Sequence, residues 1–525
     1  MPIRLQQYLS RFRRDRRGNV AIIFTIAAIP LISAIGCAVD YSMATRMKAK
    51  LQSAADAASI AALSQKSPGF LAASVMTGNG TVDAGVTDAT NVFNANMAGI
   101  TGFQNLTKDI AVTKTGIKLT ANVTFSADVP TTFLKVINYS KLTVSGLSGS
   151  AATLPPYLDF YLTLDVSGSM GLPSTGAEQT RLSQVNPDNY RQYPTGCTFA
   201  CHFEPKNSAC TDGGTQGYPT NGACLGYAIS RVSQSGYKGL LTTATVNSTY
   251  PAGKKFIDST VVSGLPNSLY TKLATVSSCD KAGGDECIQL RADAVGYAVS
   301  ELLKTAKTAT KVDKQFRIGL YPFIQKLYAY SALTDAIDGA TIKDAAKNLA
   351  TQLDTNTNSN LGSGGTWITT ALTTINGFIG TGSGLVGDGS TQSTPQPYVF
   401  LVTDGAQVPQ TKGVPNGSWG GSNKATTIDK QNTPPVTTVA ECKALTDRGI
   451  RVAVLYIPYQ PISPVNKSFA GDEDTYANDN IPFIPASLQK CASPDFYFTA
   501  NTPADITTAL NKMFNKALEV AHITN

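Results

Sequence analysis

Asp165, Ser167 and Ser169 occupy alternate positions in the segment DVSGSM, with Gly168 between the two serines. At that spacing three oxygen-bearing side chains can turn toward one point, and the glycine permits the tight bend. A second acidic turn, Thr403-Asp404-Gly405, closes the apolar run YVFLVTDG, and Gly364-Gly365-Thr366 places a hydroxyl just ahead of a predicted helix. Together Asp165, Ser167, Ser169, Thr366 and Asp404 make an all-oxygen donor set with two carboxylates. Hard divalent cations prefer such a set, and soft metals do not. Mg²⁺ is the expected ion, with Ca²⁺ or Mn²⁺ as alternatives. Each motif alone reads as an ordinary turn, so the expectation rests on their joint occurrence.

These loops need elements that bring them to one place. YLDFYLTLDVSGSM reads as a buried strand running into the serine loop. Further strands are predicted at 315–324, 398–405, 450–457 and 495–500, and helices at 287–306, 366–379, 437–449 and 505–519. Alternating helices and continuously apolar strands predict an α/β fold: a doubly wound, mostly parallel sheet covered on both faces. Ligands of such sheets bind beyond the C-terminal ends of the strands, where the three loops would share one edge. The domain is expected over 157–520. A cysteine-rich insertion at about 171–286 starts at the serine loop, which points to a lid or specificity element beside the site, or alternatively to a surface decoration.

DVSGSM, SGGTWITTAL and FLVTDG, in this order, resemble the metal-ion-dependent adhesion site of von Willebrand factor A domains. The resemblance implies that Ser167, Ser169 and Thr366 bind the ion through their hydroxyls, and that Asp165 and Asp404 bind it directly or through water. It also implies one open coordination position, filled by a carboxylate from a protein partner. The insertion departs from the family, whose helix follows the serine loop almost directly.

The N-terminal part has a different character. Residues 1–17 hold six arginines against one acid and carry most of the net charge of +7. The rest of the chain is close to neutral, which argues against nucleic-acid binding. Residues 18–39 contain no charge and are long enough, at about 33 Å, to cross a bilayer core of about 30 Å. A transmembrane helix with its N-terminus in the cytoplasm is therefore expected. A cleaved signal peptide and lipidation at Cys37 are the alternatives, and all three export the remainder. Residues 40–68 read as an Ala-rich helix with a packing stripe at Leu51, Ala55, Ala58 and Ala62, and 69–153 as a small β-rich module ending at Leu154-Pro155-Pro156. Export suits the cysteines: Cys197, Cys201, Cys210, Cys224, Cys279, Cys287, Cys442 and Cys491 are disulfide candidates with unassigned pairing.

The segment RRDRRGNVAIIFTIAAIPLISAIGCAVDYSMATRMKAKLQSAADAASIAAL resembles the start of TadG-like proteins of Tad pilus assembly. That resemblance implies a bacterial inner-membrane, single-pass protein, periplasmic or surface-exposed, that works with Tad pilus or secretion components in assembly or adhesion. An alternative is a periplasmic binding module or assembly chaperone unrelated to pili. An enzyme is not expected. CTFACH at 197–202 lacks the two-residue spacing of haem attachment, two histidines leave little choice of catalytic base, and no phosphate-binding Gly-Lys loop occurs.

Overall fold

A computed structural model describes residues 18–185, 276, 278–353, 359–362, 365–380, 386–407, 426–427, 437–459 and 481–523. The basic leader, most of the insertion with Cys197, Cys201, Cys210 and Cys224, and Gly364 lie outside the described residues. The chain divides into two compact units, Met1–Leu154 and Pro155–Asn525.

Unit 1 is built on one 44-residue helix, α1 (Gly18–Ala61). Its first half exposes Ile22, Ile23, Phe24, Ile26, Ile29 and Leu31, and it is long and apolar enough to cross a membrane. Its second half is amphipathic. Leu51, Ala55, Ala58 and Ala62 are fully buried. The sequence assigns this stripe to helix–helix packing, yet it also belongs to a globular core, closed by the helix Asp83–Met97 and by an antiparallel sheet. That sheet has the order β1 (Gly80–Thr81), β2 (Gln104–Thr115), β3 (Lys118–Pro130), β4 (Lys141–Thr153). Two helices absent from the sequence reading, α2 (Pro68–Val75) and α3 (Asp83–Met97), make the module mixed rather than purely β. In α3, Gly85, Ala89, Phe93 and Met97 recur every four residues and are its buried positions, as a single helical face requires.

Unit 2 is a six-stranded sheet in the order β12-β11-β8-β5-β6-β7. Its strands are β5 (Leu158–Asp165), β6 (Phe316–Phe323), β7 (Ser331–Thr334), β8 (Gln396–Thr403), β11 (Arg451–Tyr456) and β12 (Tyr497–Thr499). All neighbours are parallel except the edge strand β7. Every residue of β5 and β8 is buried, which is what a strand covered on both faces demands. Successive side chains alternate between faces. Leu158, Phe160, Leu162 and Leu164 pack with α5 (Arg291–Ala309), α6 (Ala340–Lys347) and α10 (Pro503–Ile523). Tyr161, Val399, Leu401 and Val454 pack on the other side with α7 (Ile368–Phe378), α8 (Thr437–Asp447) and α9 (Ile484–Cys491). On the first face Phe160 is the hub of an aromatic cluster with Phe316, Tyr398, Phe400 and Phe514, at centroid distances of 5.1–6.1 Å.

From β5 the chain leads to β6 on one side, and later to β8 on the other. The strand order therefore reverses between β5 and β8, the crevice where open α/β sheets hold ligands. Two short strands, β9 (Ala406–Gln407) and β10 (Thr426–Thr427), pair just beyond β8. A further helix, α4 (Gly176–Val185), follows the serine loop.

Candidate metal centre

Leu164 of β5 pairs with Val402 of β8, so Asp165 and Thr403 end adjacent strands side by side. The Thr403 hydroxyl donates to Asp165 Oδ2 at 2.6 Å. The Ser167 backbone N–H donates to Asp165 Oδ1 at 3.0 Å, which fixes the start of the serine loop. Ser167 and Ser169 then turn the same way, with their hydroxyl oxygens 3.2 Å apart. Ser167 is buried, whereas Ser169 is half-buried.

Asp404 closes the cluster from β8. Its Oδ1 accepts the Ala406 N–H at 3.3 Å. Gly405 makes this turn possible. It has φ +78°, and a Cβ there would lie 2.3 Å from Ile484 Cγ2 of α9. Thr366 lies buried just before α7, held by the Trp367 N–H donating to Ile324 C=O at 2.9 Å. Hydrogen bonds join Asp165, Ser167 and Ser169; among the described hydrogen bonds none joins Asp404 or Thr366 to them.

Sequence reasoning missed Arg291. This first residue of α5 is fully buried, its Nη1 3.8 Å from Asp404 Oδ2, while Nη2 donates to Pro458 C=O at 2.9 Å. A distance of 3.8 Å makes an ion pair but not a hydrogen bond; both Arg291 Nη1 and Asp404 Oδ2 lack a hydrogen-bond partner. The available signal was a cation at a helix N-terminus, where the macrodipole disfavours it unless an acid stands opposite.

Burial pushes Asp165 up to about 7, and the charge of Asp404 adds to this against the hydrogen bonds from Ser167 and Thr403. Asp404 is raised too, first by burial, with Arg291 opposing. Two buried carboxylates this close resist being ionised together unless positive charge joins them. Arg291 supplies one such charge. Asp404 Oδ2, which has no hydrogen-bond partner, the paired serine hydroxyls and the all-oxygen character fit a hard divalent cation, which would supply the rest.

The ends of the insertion are fastened beside this loop. Leu172 C=O accepts the Arg291 N–H at 2.8 Å, and Ser174 N–H donates to Gln289 C=O at 2.8 Å. Buried Glu178 of α4 accepts the backbone N–H groups of Gln289 (2.6 Å) and Gly283 (3.1 Å). A Cys279–Cys287 disulfide closes the returning strand of chain, and Cys442–Cys491 joins α8 to α9. Among the described residues Cys37 is the free cysteine.

Residues 18–74 match a family model described as putative Flp pilus-assembly TadE/G-like. No curated protein matches the chain. Among solved structures, the chain is similar to the pilus adhesin SpaC from Lactobacillus rhamnosus GG, with 12% identity and a TM-score of 0.31, covering 80% of this chain and 34% of that one. The PilB minor pilin from Streptococcus sanguinis gives 9% identity and 0.30, covering 80% of each chain. The vWF domain of the type V pili tip protein Mfa5 from Porphyromonas gingivalis gives 10% identity and 0.29, covering 70% of this chain and 97% of that one. The chain thus spans about a third of the length of SpaC, and none of these scores reaches the level of a shared fold.

Proposed function

We propose that this chain is a membrane-anchored accessory protein of Tad-type pilus assembly or adhesion, and that its unit 2 is a von Willebrand factor A-like domain that binds a partner through a metal-ion-dependent adhesion site. The observation that carries the reading is the convergence of Asp165, Ser167, Ser169 and Asp404 at the switch point between β5 and β8, with Asp404 Oδ2 buried and without a hydrogen-bond partner. The pilus assignment is supported by the family match over the anchor and the first part of unit 1. In this reading the arginine-rich leader holds the N-terminus in the cytoplasm, the first half of α1 spans the inner membrane, and the rest of unit 1 and all of unit 2 lie beyond it.

Asp165, Ser167, Ser169, Thr366 and Asp404 would hold the ion, Mg²⁺ first among the candidates. A bound cation supplies an electrophilic position that attracts a carboxylate of the partner. The chain's own residues do the rest. Thr403 and the Ser167 N–H orient Asp165, Gly405 lets Asp404 turn inward, and Arg291 balances part of the negative charge. Nothing in this arrangement calls for bond chemistry, so the role is binding and not catalysis.

The test is calorimetric titration of Mg²⁺, Mn²⁺ and Ca²⁺ into the detergent-solubilised full chain and into an Asp165→Ala/Ser167→Ala variant whose fold is checked by circular dichroism. Ion binding by the first and none by the folded variant supports the site. Equal binding in both, or none in either, refutes it. Co-purification with Tad secretion components tests the pilus part separately.

A further inference from the structure

We infer that residues 132–139, TFLKVINY, form a second membrane contact that lies in the interface of the leaflet from which α1 emerges. This rests on the membrane-anchor part of the proposed function. The uncharged run of α1 ends at Val39, which puts Asp40 at the bilayer surface. The Asp40 carboxylate accepts three backbone N–H groups, from Thr132 (3.0 Å), Phe133 (2.8 Å) and Leu134 (2.7 Å). One turn deeper, Gly36 lies so close to the Phe133 ring that a Cβ there would be 2.5 Å from it. The segment is thus clamped to the helix at the level where the span ends.

What it presents there is apolar. Phe133, Val136, Ile137 and Tyr139 are 43%, 84%, 53% and 62% exposed, and the short 3₁₀ turn Leu134–Ile137 has no buried residue. Four large apolar side chains within seven residues is more than scattered surface exposure, and such a patch marks an interaction site. The occupant is settled by continuity. The patch adjoins the lipid-facing surface of α1, so hydrocarbon and head groups are the surroundings the geometry provides. Its chemistry also suits that boundary. Tyr139 carries a polar tip on an apolar ring, and Lys135 and Lys141 flank the patch with long stems that can reach the head groups. The Lys141 ammonium also donates to Asp128, which ties the base of the segment to β3.

The test uses the full chain reconstituted into vesicles of phosphatidylethanolamine and phosphatidylglycerol, with or without brominated acyl chains. Val136→Trp places a reporter on the patch. Lys118→Trp is the control, at the far end of β3 and about 40 Å along the strand from Pro130. Emission from the native Trp367 and Trp419, measured in the unsubstituted chain, is subtracted. The expected result is a blue-shifted Val136→Trp signal that loses most of its intensity in brominated lipid, while the Lys118→Trp signal is unchanged. If the protein floats with the vesicles but Val136→Trp is quenched no more than Lys118→Trp, the inference fails and the anchor survives. A blue-shifted but unquenched signal means protein covers the patch, and also overturns it. Failure to float with the vesicles at all overturns the anchor and this inference together.

Discussion

Replacing Arg291 by methionine tests whether the buried guanidinium is a working part of the proposed metal centre. Arg291 Nη1 and Asp404 Oδ2 are 3.8 Å apart and both side chains are almost wholly buried. Two unit charges at that distance attract by about 4 kcal/mol at an effective dielectric of about 20. Removing one partner of such a pair typically costs about 3–5 kcal/mol, because the other charge is left alone in the interior. Arg291→Met and Asp404→Asn should each lose about that much. The double variant should lose far less than the sum, giving a coupling of about 3 kcal/mol. Urea unfolding of the full chain in detergent measures this directly. Both tryptophans, Trp367 and Trp419, lie in unit 2, so their fluorescence follows that unit alone. The metal arm has the opposite sign: without the guanidinium the site is more negative, so Mg²⁺ should restore more stability to Arg291→Met than it adds to the parent. Additive single costs, with coupling below about 0.5 kcal/mol, would show that the pair is bystander geometry and would refute the reasoning.

Gly405→Ala must place a Cβ 2.3 Å from Ile484 Cγ2 at φ +78°. Left-handed backbone costs about 1–2 kcal/mol and the forced repacking about 1–3 kcal/mol more, so the urea midpoint should fall and Mg²⁺ binding should weaken as Asp404 moves; an unchanged midpoint contradicts the packing. Removing Cys442–Cys491, whose partners are 49 residues apart, should cost up to about 4 kcal/mol by loop entropy. Removing Cys279–Cys287, with a separation of 8, should cost up to about 2.5 kcal/mol, and thermal unfolding of the two alanine pairs checks the order. In unit 1, hydrogen bonds from Asn105, Lys141 and Thr143 hold Asp128 down at about 2. Because the folded pKa is depressed, the stabilisation is complete above the ordinary value of 3.8 and is lost as pH falls toward 2. Asp128→Asn should therefore flatten the acid-unfolding curve of unit 1 between those two values, and a slope equal to the parent's would refute the assignment.

The strands of unit 2 were legible because they are continuously apolar. The runs predicted at 315–324, 398–405 and 450–457 appear as Phe316–Phe323, Gln396–Thr403 and Arg451–Tyr456. β7 escaped because four residues, one of them buried, are too short a period to recognise. In unit 1, α3 escaped because Asp, Gly, Thr and Asn are poor helix formers; its helicity comes from packing Ala89, Phe93 and Met97 into the core. At the site, Asp165, Ser167, Ser169 and Asp404 could be picked out by residue type and strand-end position. Arg291 offered only its place at a helix N-terminus, because it lies more than a hundred residues beyond the serine loop, and the parallel crossover through α5 is what returns it to Asp404.

The unbroken run of α1 from apolar segment into globular core also has a mechanical consequence. Residues 40–61 continue the same helix for about 33 Å, and that half is clamped along its length by the core of unit 1. In the proposed membrane-anchored arrangement the helix continues unbroken past the membrane surface, so the core of unit 1 would inherit whatever angle the span adopts. Transmembrane helices tilt to match bilayer thickness, and a change of about 10° in tilt would carry the far end of this lever sideways by about 6 Å. Embedded in a bilayer as proposed, such a helix would work as a gauge, converting a local thickening of lipid into displacement of the core of unit 1.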